Sequence, residues 1–264
     1  MKLRISREEL QKRSLFLASP VYGGQPWGEY SSSMERLKLV MTREGLTWDD
    51  RQTFLESLVP RARNYLAHYY LKSNLTHTLL VDADIVFTPD DALQLLALAS
   101  PGSEYDVICG AYPKKHICWN KVRDAAKAGL ADDDASILEE FVGEFFFAAV
   151  DPDRPRSLDE PLEVVETGTG FMMIQRHVFL AIAEAHPELV YIDDWTGEEY
   201  VSFFNMTIQK RRLLSEDFDF CRLVREVGMK VWVVPTINLG HMGIFKYQGN
   251  VSAIAALAAR KGVR

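Results

Sequence analysis

The 264-residue sequence has few cysteines, no long apolar run and no excess of positive charge, and each shortage closes off a class of protein. Its three cysteines, Cys109, Cys118 and Cys221, are odd in number and sit in apolar or helical surroundings. That argues against a disulfide framework and for a reducing, cytoplasmic setting. No apolar stretch approaches the roughly 20 residues of a membrane span, and Met1 to Arg13 is charged throughout, without the apolar centre of a signal peptide. No stable membrane insertion is therefore expected. Against 37 acids stand 30 Lys and Arg, a net charge of −7, which disfavours broad electrostatic attraction to nucleic acid or anionic lipid. Internal repeats, low-complexity tracts and a flexible linker are also missing. One continuous α/β domain over residues 1–264 is the expectation.

What is present is an alternation of buried strands and amphipathic helices. Ser14 to Pro20 reads as a first buried strand running into a loop with Tyr22, Gly23, Gly24, Pro26 and Gly28. A helix follows over 30–45, a second strand is expected at 54–58, and Pro60 opens a helix bearing Arg61 and Arg63. A strand over 105–111 comes next, then an exposed helix over 124–134 and an antiparallel strand over 141–150. Phe171 to Ile174, Leu213 to Cys221 with Ser215 as N-cap, and Lys230 to Pro235 complete the pattern, with an alanine-rich helix over 251–264. Alternation of this kind implies a mostly parallel central sheet with helices on both faces and an antiparallel elaboration in the second half.

The central stretch is Thr78 to Phe87, where Leu79-Leu80-Val81 and Ile85-Val86-Phe87 flank Asp82-Ala83-Asp84. Carboxylates ending a buried strand need compensation, and a divalent cation with oxygen ligands supplies it. The other reading is a plain strand end, with Pro89-Asp90-Asp91 starting the next helix. Ser215-Glu216-Asp217 is likewise open, between ordinary helix-start acids and a proton-accepting pair.

The motifs stand in a particular order: Phe16 to Tyr22 with Ala18 and Pro20, Arg61-Ala62-Arg63-Asn64, Asp82-Ala83-Asp84, and Gly110 to Lys115. They continue with Gly168-Thr169-Gly170-Phe171-Met172, Ser215-Glu216-Asp217 and Gly240-His241. In that order they resemble the GT-A-type sugar-nucleotide-dependent glycosyltransferases, especially family-2-like members of bacteria and phages. The resemblance spans about residues 14 to 250.

It implies a nucleotide-binding half over about 14–110 and an acceptor-binding, catalytic half over about 111–250. Asp84 would bind Mn²⁺ or Mg²⁺, Asp82 the ribose or the metal, and His241 would be a third ligand; an imidazole favours Mn²⁺. Ala18, Pro20, Tyr22, Arg63 and Ala83 would line the nucleoside diphosphate sugar. Asp217 would be the general base of an inverting transfer, with Glu216 sharing or orienting. Gly168, Thr169, Gly170, Lys114 and Trp119 would meet the sugars. The acceptor would be a hydroxyl of a glycan, lipid, protein or modified base. Two further readings are a nucleotidyltransferase and a non-catalytic nucleotide-sugar or glycan-binding module. The first wants a glycine- and lysine-rich phosphate loop after the first strand, yet no lysine or arginine follows that strand before Arg36.

Overall fold

The computed structural model describes residues 5–151, 157–245 and 250–253. After a short helix α1 (Arg7–Gln11) come β1 (Ser14–Val21), α2 (Gly28–Glu44), β2 (Thr47–Phe54), α3 (Val59–Ser73) and β3 (His77–Val81). The two-residue β4 (Ile85–Val86), α4 (Pro89–Leu98) and β5 (Val107–Gly110) follow. The second half holds α5 (Trp119–Lys127), β6 (Phe147–Ala149), β7 (Leu162–Thr167), β8 (Phe171–Gln175) and α6 (Arg176–Ala185). Two hairpins, β9 (Val190–Ile192) with β10 (Glu199–Val201) and β11 (Thr207–Gln209) with β12 (Arg212–Leu214), precede α7 (Glu216–Glu226), β13 (Val231–Val234) and β14 (Gly240–His241).

Eight strands form one sheet in the order β2-β1-β3-β8-β5-β13-β7-β6. Only β8 and β7 run against the others, so the sheet is mostly parallel in direction, with its reversals in the second half. Residues alternate between two cores, as the pleat requires. Leu15, Leu17, Leu79, Val81, Ile108, Phe171 and Met173 pack with α2 and α4 on one face. Phe16, Ala18, Leu80, Cys109, Met172 and Ile174 pack with α3, α6 and α7 on the other. A strand covered on both faces has no reason to alternate apolar with polar, which is why β3 and β8 are buried at every position.

Local signals set the ends of the helices. Thr88 and Asp91 form a reciprocal capping box at the start of α4, with Pro89 in its first turn. Gly45 ends α2 in the left-handed region at φ 72°.

Several expected elements differ. The second strand occupies Thr47–Phe54, ending where it was expected to begin, because Leu55 turns the chain at φ 60°. As an edge strand with the sequence TWDDRQTF it carries no apolar run. The exposed helix begins earlier, at Trp119, and closes at Lys127; the antiparallel strand near 145 shortens to Phe147–Ala149. The C-terminal helix expected over 251–264 lies outside the described residues beyond Ala253. No helix among the described residues is long and apolar enough to cross a membrane.

His77 on β3 is 1% exposed, and its Nε2 donates to the Ala99 carbonyl at 2.7 Å. Burial disfavours the charged ring and pushes its pKa down to about 4. The folded value lies below the unfolded one, so the unfolded chain takes up the proton first as pH falls. The stabilisation is complete above about pH 6.5 and is lost towards pH 4, a fall of about 3 kcal/mol. Urea unfolding at pH 7 and pH 4.5 checks this against His77→Gln, which is expected to lack that part of the acid loss. An equal acid loss in both proteins would refute it.

Candidate active site

The sheet order brings distant segments to one edge. β1, β3 and β5 all end there, β8 begins there, and α3 and α7 start there because each crosses back towards the opposite edge to feed the next parallel strand. The carboxyl edge of such a sheet is where ligands bind. Arg63, Asp82, Asp84, Tyr112, Thr169, Glu216, Asp217 and His241 therefore share one region despite their separation in sequence.

Arg63, in the first turn and a half of α3, is the hub. Its guanidinium is 3% exposed and meets three carboxylates: Nη2 donates to Asp82 Oδ1 and Oδ2 at 2.9 and 3.2 Å, and Nη1 to Glu216 Oε1 at 2.9 Å and Asp217 Oδ1 at 2.5 Å. Nε is buried without a partner. Burial opposes the charge on Arg63, but Asp82, Asp217 and Glu216 outweigh it and hold the guanidinium protonated. Burial raises the pKa of Glu216, and the neighbouring Asp217 raises it further, while Arg63 partly offsets both. Thr169 Oγ1 also donates to Asp217 Oδ1. The recorded bonds to Asp217 thus fall on one oxygen.

A second centre sits beside it. Met242 N donates to the Asp84 carbonyl at 2.8 Å, and β14 pairs with β4, which sets His241 against the turn after β3. His241 Nδ1 donates to the Pro113 carbonyl at 2.7 Å, so the neutral ring presents a lone pair at Nε2. That Nε2 lies 3.5 Å from Asp84 Oδ1, a buried oxygen with no hydrogen-bond partner. Lys115 Nζ holds the other oxygen, Oδ2. Burial works against ionised Asp84, but Lys115 and the protonated form of His241 outweigh it and keep its pKa below the usual carboxylate range; with the ring neutral, Lys115 alone opposes the burial. Across the two centres, Arg63 and Lys115 face four carboxylates, leaving an excess of negative charge with neutral His241.

Not every expected residue converges. Asp82 has both oxygens held by Arg63, and no group of three or more metal-ligating side chains stands together among the described residues. Ala83 contributes its carbonyl, which accepts from Trp27 N at 3.0 Å. Ala18 is fully buried in the core, so its side chain packs instead of lining a site. Pro20 is half-buried near the end of β1, and Tyr22 just beyond it is 72% exposed. Lys114 turns to Glu144 at 3.3 Å, and Trp119 is exposed at the start of α5.

Tyr112 was legible only as part of the Gly110 to Lys115 motif, and it explains the glycines. Its hydroxyl accepts from Gly170 N at 3.1 Å. A Cβ on Gly168 would sit 2.1 Å from that hydroxyl, and one on Gly170 would sit 2.8 Å from both Asp82 Oδ2 and the Tyr112 ring. The two glycines admit Tyr112 beneath the acids. Burial, with Asp82 and Asp217 nearby, raises the Tyr112 pKa and keeps the phenol neutral. Lys115, not Lys114, is the cation that reaches the centre, a distinction that adjacent lysines in a loop do not display in sequence.

No family model matches the sequence, and no curated protein matches it. Among solved structures, GalNAc-T7 with UDP, GalNAc and Mn²⁺ aligns over 90% of this chain with a TM-score of 0.51 and 12% identity. The fold is GT-A-like. This chain spans 45% of that protein's length, and at such identity the likeness is one of fold alone. Weaker likenesses join it to A197 from STIV (15% identity, 88% of this chain and 86% of the other, TM-score 0.47) and to the inositol-1-phosphate CTP transferase from T. maritima (12% identity, 97% and 98%, TM-score 0.42).

Proposed function

We propose that residues 1–264 form a single glycosyltransferase domain that moves a sugar from a nucleoside diphosphate sugar to a hydroxyl acceptor, with metal assistance and inversion. The observation that carries it is the facing pair of Asp84 Oδ1 and His241 Nε2, two electron-rich atoms 3.5 Å apart, one of them buried and unpartnered. A cation between them satisfies both, and the surplus of carboxylates around them favours it. With Asp82 held by Arg63, the metal falls to Asp84 and His241, and an imidazole ligand favours Mn²⁺ over Mg²⁺. When bound, such an ion neutralises the charge that grows on a departing diphosphate.

The chain's own groups do the rest. Arg63 and Thr169 both donate to Asp217 Oδ1, which fixes the carboxylate and leaves Oδ2 to accept the proton of the attacking hydroxyl. Glu216, with its raised pKa, accepts from the same Arg63 Nη1 that holds Asp217, and Asp82 braces Nη2. Tyr112 packs against Gly168 and Gly170 and accepts from Gly170 N, which fixes the backbone beside Asp82.

The test is a thermal-shift series with Mn²⁺ and nucleoside diphosphates of each base. One diphosphate is expected to stabilise the protein only with the metal present, and its nucleoside is not. Asp84→Ala and His241→Ala are each expected to abolish the metal-dependent part. Full retention in both variants would show the metal assignment to be wrong.

A further inference from the structure

A cleft of about 480 Å³, within the size range of small-molecule sites, opens between the end of β2, the first turns of α3 and the β9–β10 hairpin. None of the residues that carry the transfer reading above lines it. Two of its hydroxyls are anomalous. Thr53 is 9% exposed and Tyr200 1% exposed, and neither Thr53 Oγ1 nor Tyr200 Oη has a hydrogen-bond partner. The Tyr200 hydroxyl approaches Thr196 and Tyr69 without reaching hydrogen-bond geometry with either. Buried hydroxyls are costly when unpaired, and two of them just behind the wall of one cleft, on residues that line it, point to a ligand that supplies polar groups.

The remaining wall defines the ligand's chemistry. Tyr65, Tyr191 and Trp195 offer aromatic surface, with Trp195 90% exposed. The Trp195 indole stands open beside the half-buried Tyr65 and Tyr191 phenols, and a puckered ring with C–H faces and hydroxyl edges suits such a wall. Charge is spent internally. Arg61 makes a bidentate pair with Glu56 at 2.7 and 2.8 Å, and Asp193 Oδ1 accepts from Trp195 N, Thr196 N and Thr196 Oγ1 at 3.2, 2.9 and 2.9 Å. With its arginine already paired, the cleft is poorly suited to a phosphate.

We infer that the cleft binds a neutral sugar ring, and that the acceptor is a glycan held there. Arg61 and Ala62 line the cleft while the next residue, Arg63, grips Asp217, so the first turns of α3 join the two sites. The acceptor assignment rests on the glycosyltransferase reading; the sugar-binding assignment does not.

The experiment presents the labelled full chain to a printed array of neutral oligosaccharides, followed by titration of the best binder. Trp195→Ala is expected to weaken that glycan about tenfold, the loss of one stacking ring, without altering the Mn²⁺-dependent shift by a nucleoside diphosphate. Thr53→Val and Tyr200→Phe separate binding from structure: each removes an unpaired hydroxyl, so each is expected to keep or raise Tm while weakening the glycan. Two results would overturn the inference. One is that no neutral glycan binds the unaltered protein; the other is that Trp195→Ala weakens the nucleotide and spares the glycan, which would make the cleft a base pocket. Glycan binding without release of diphosphate from any sugar nucleotide would support the cleft and refute the transferase reading.

Discussion

Arg63→Met is expected to lower the unfolding free energy by about 3 kcal/mol at pH 7, the low end of the range for stripping one partner from a buried ion pair. The low end applies because Asp82, Glu216 and Asp217 keep side-chain exposures of 27, 17 and 21%, so water screens part of their charge. The variant leaves three carboxylates facing one another without a cation. Urea unfolding gives the value, and two controls locate its source. Adding Asp82→Asn and Asp217→Asn to Arg63→Met is expected to recover part of the loss, because the repelling charges are removed with the cation. Lowering the pH towards 5 is expected to narrow the gap between Arg63→Met and the unaltered protein. Burial and Asp217 already raise the Glu216 pKa, and each protonation relieves the unpaired cluster. A loss below about 1 kcal/mol, the range of exposed pairs, would mean that the cluster is far more solvated than its geometry shows.

The second large effect concerns the reaction. Asp217→Asn is expected to reduce turnover by about 10²–10⁴-fold, the usual contribution of a positioned proton acceptor, and to leave the metal-dependent nucleotide shift in place. The amide preserves the shape and still accepts from Thr169 and Arg63 through its oxygen, so folding is not the cause of the loss. Glu216→Gln is expected to cost less, because Glu216 meets Arg63 and not the attacking hydroxyl. The NMR configuration of the product's anomeric carbon is the independent check. An inverted centre accords with Asp217 as base, and a retained centre would remove Asp217 from that role whatever the kinetics showed.

How much of this could be read from the sequence follows from what each residue needs around it. The buried strands β1, β3, β5, β8 and β13 announce themselves because a strand covered on both faces carries a near-continuous apolar run. β2 does not, since an edge strand bearing Asp49, Asp50 and Arg51 has no such obligation. The order of the motifs carried the fold. The partners within the site were hidden, because Arg63 and Glu216 lie 153 positions apart and only the sheet order brings them together. Tyr112 shows the same limit: the glycines that admit it read as a turn, and only packing reveals what fills the space.

The place of β8 in the sheet also bears on how the chain is made. Residues 171–175 slot between β3 and β5, pairing Leu80 with Met172 on one side and Ile108 with Met173 on the other. A nascent chain that has left the ribosome only as far as Gly110 therefore carries β3 with one hydrogen-bonding edge open, and β5 without either neighbour. Such unpaired apolar edges template association between chains, and long-range closure of this kind is slow. Synthesis at low temperature, or with a chaperone that shields strand edges, is expected to raise the folded yield of this topology, and the soluble fraction after expression measures it. Truncations ending before residue 175 lack the strand that completes the centre of the sheet.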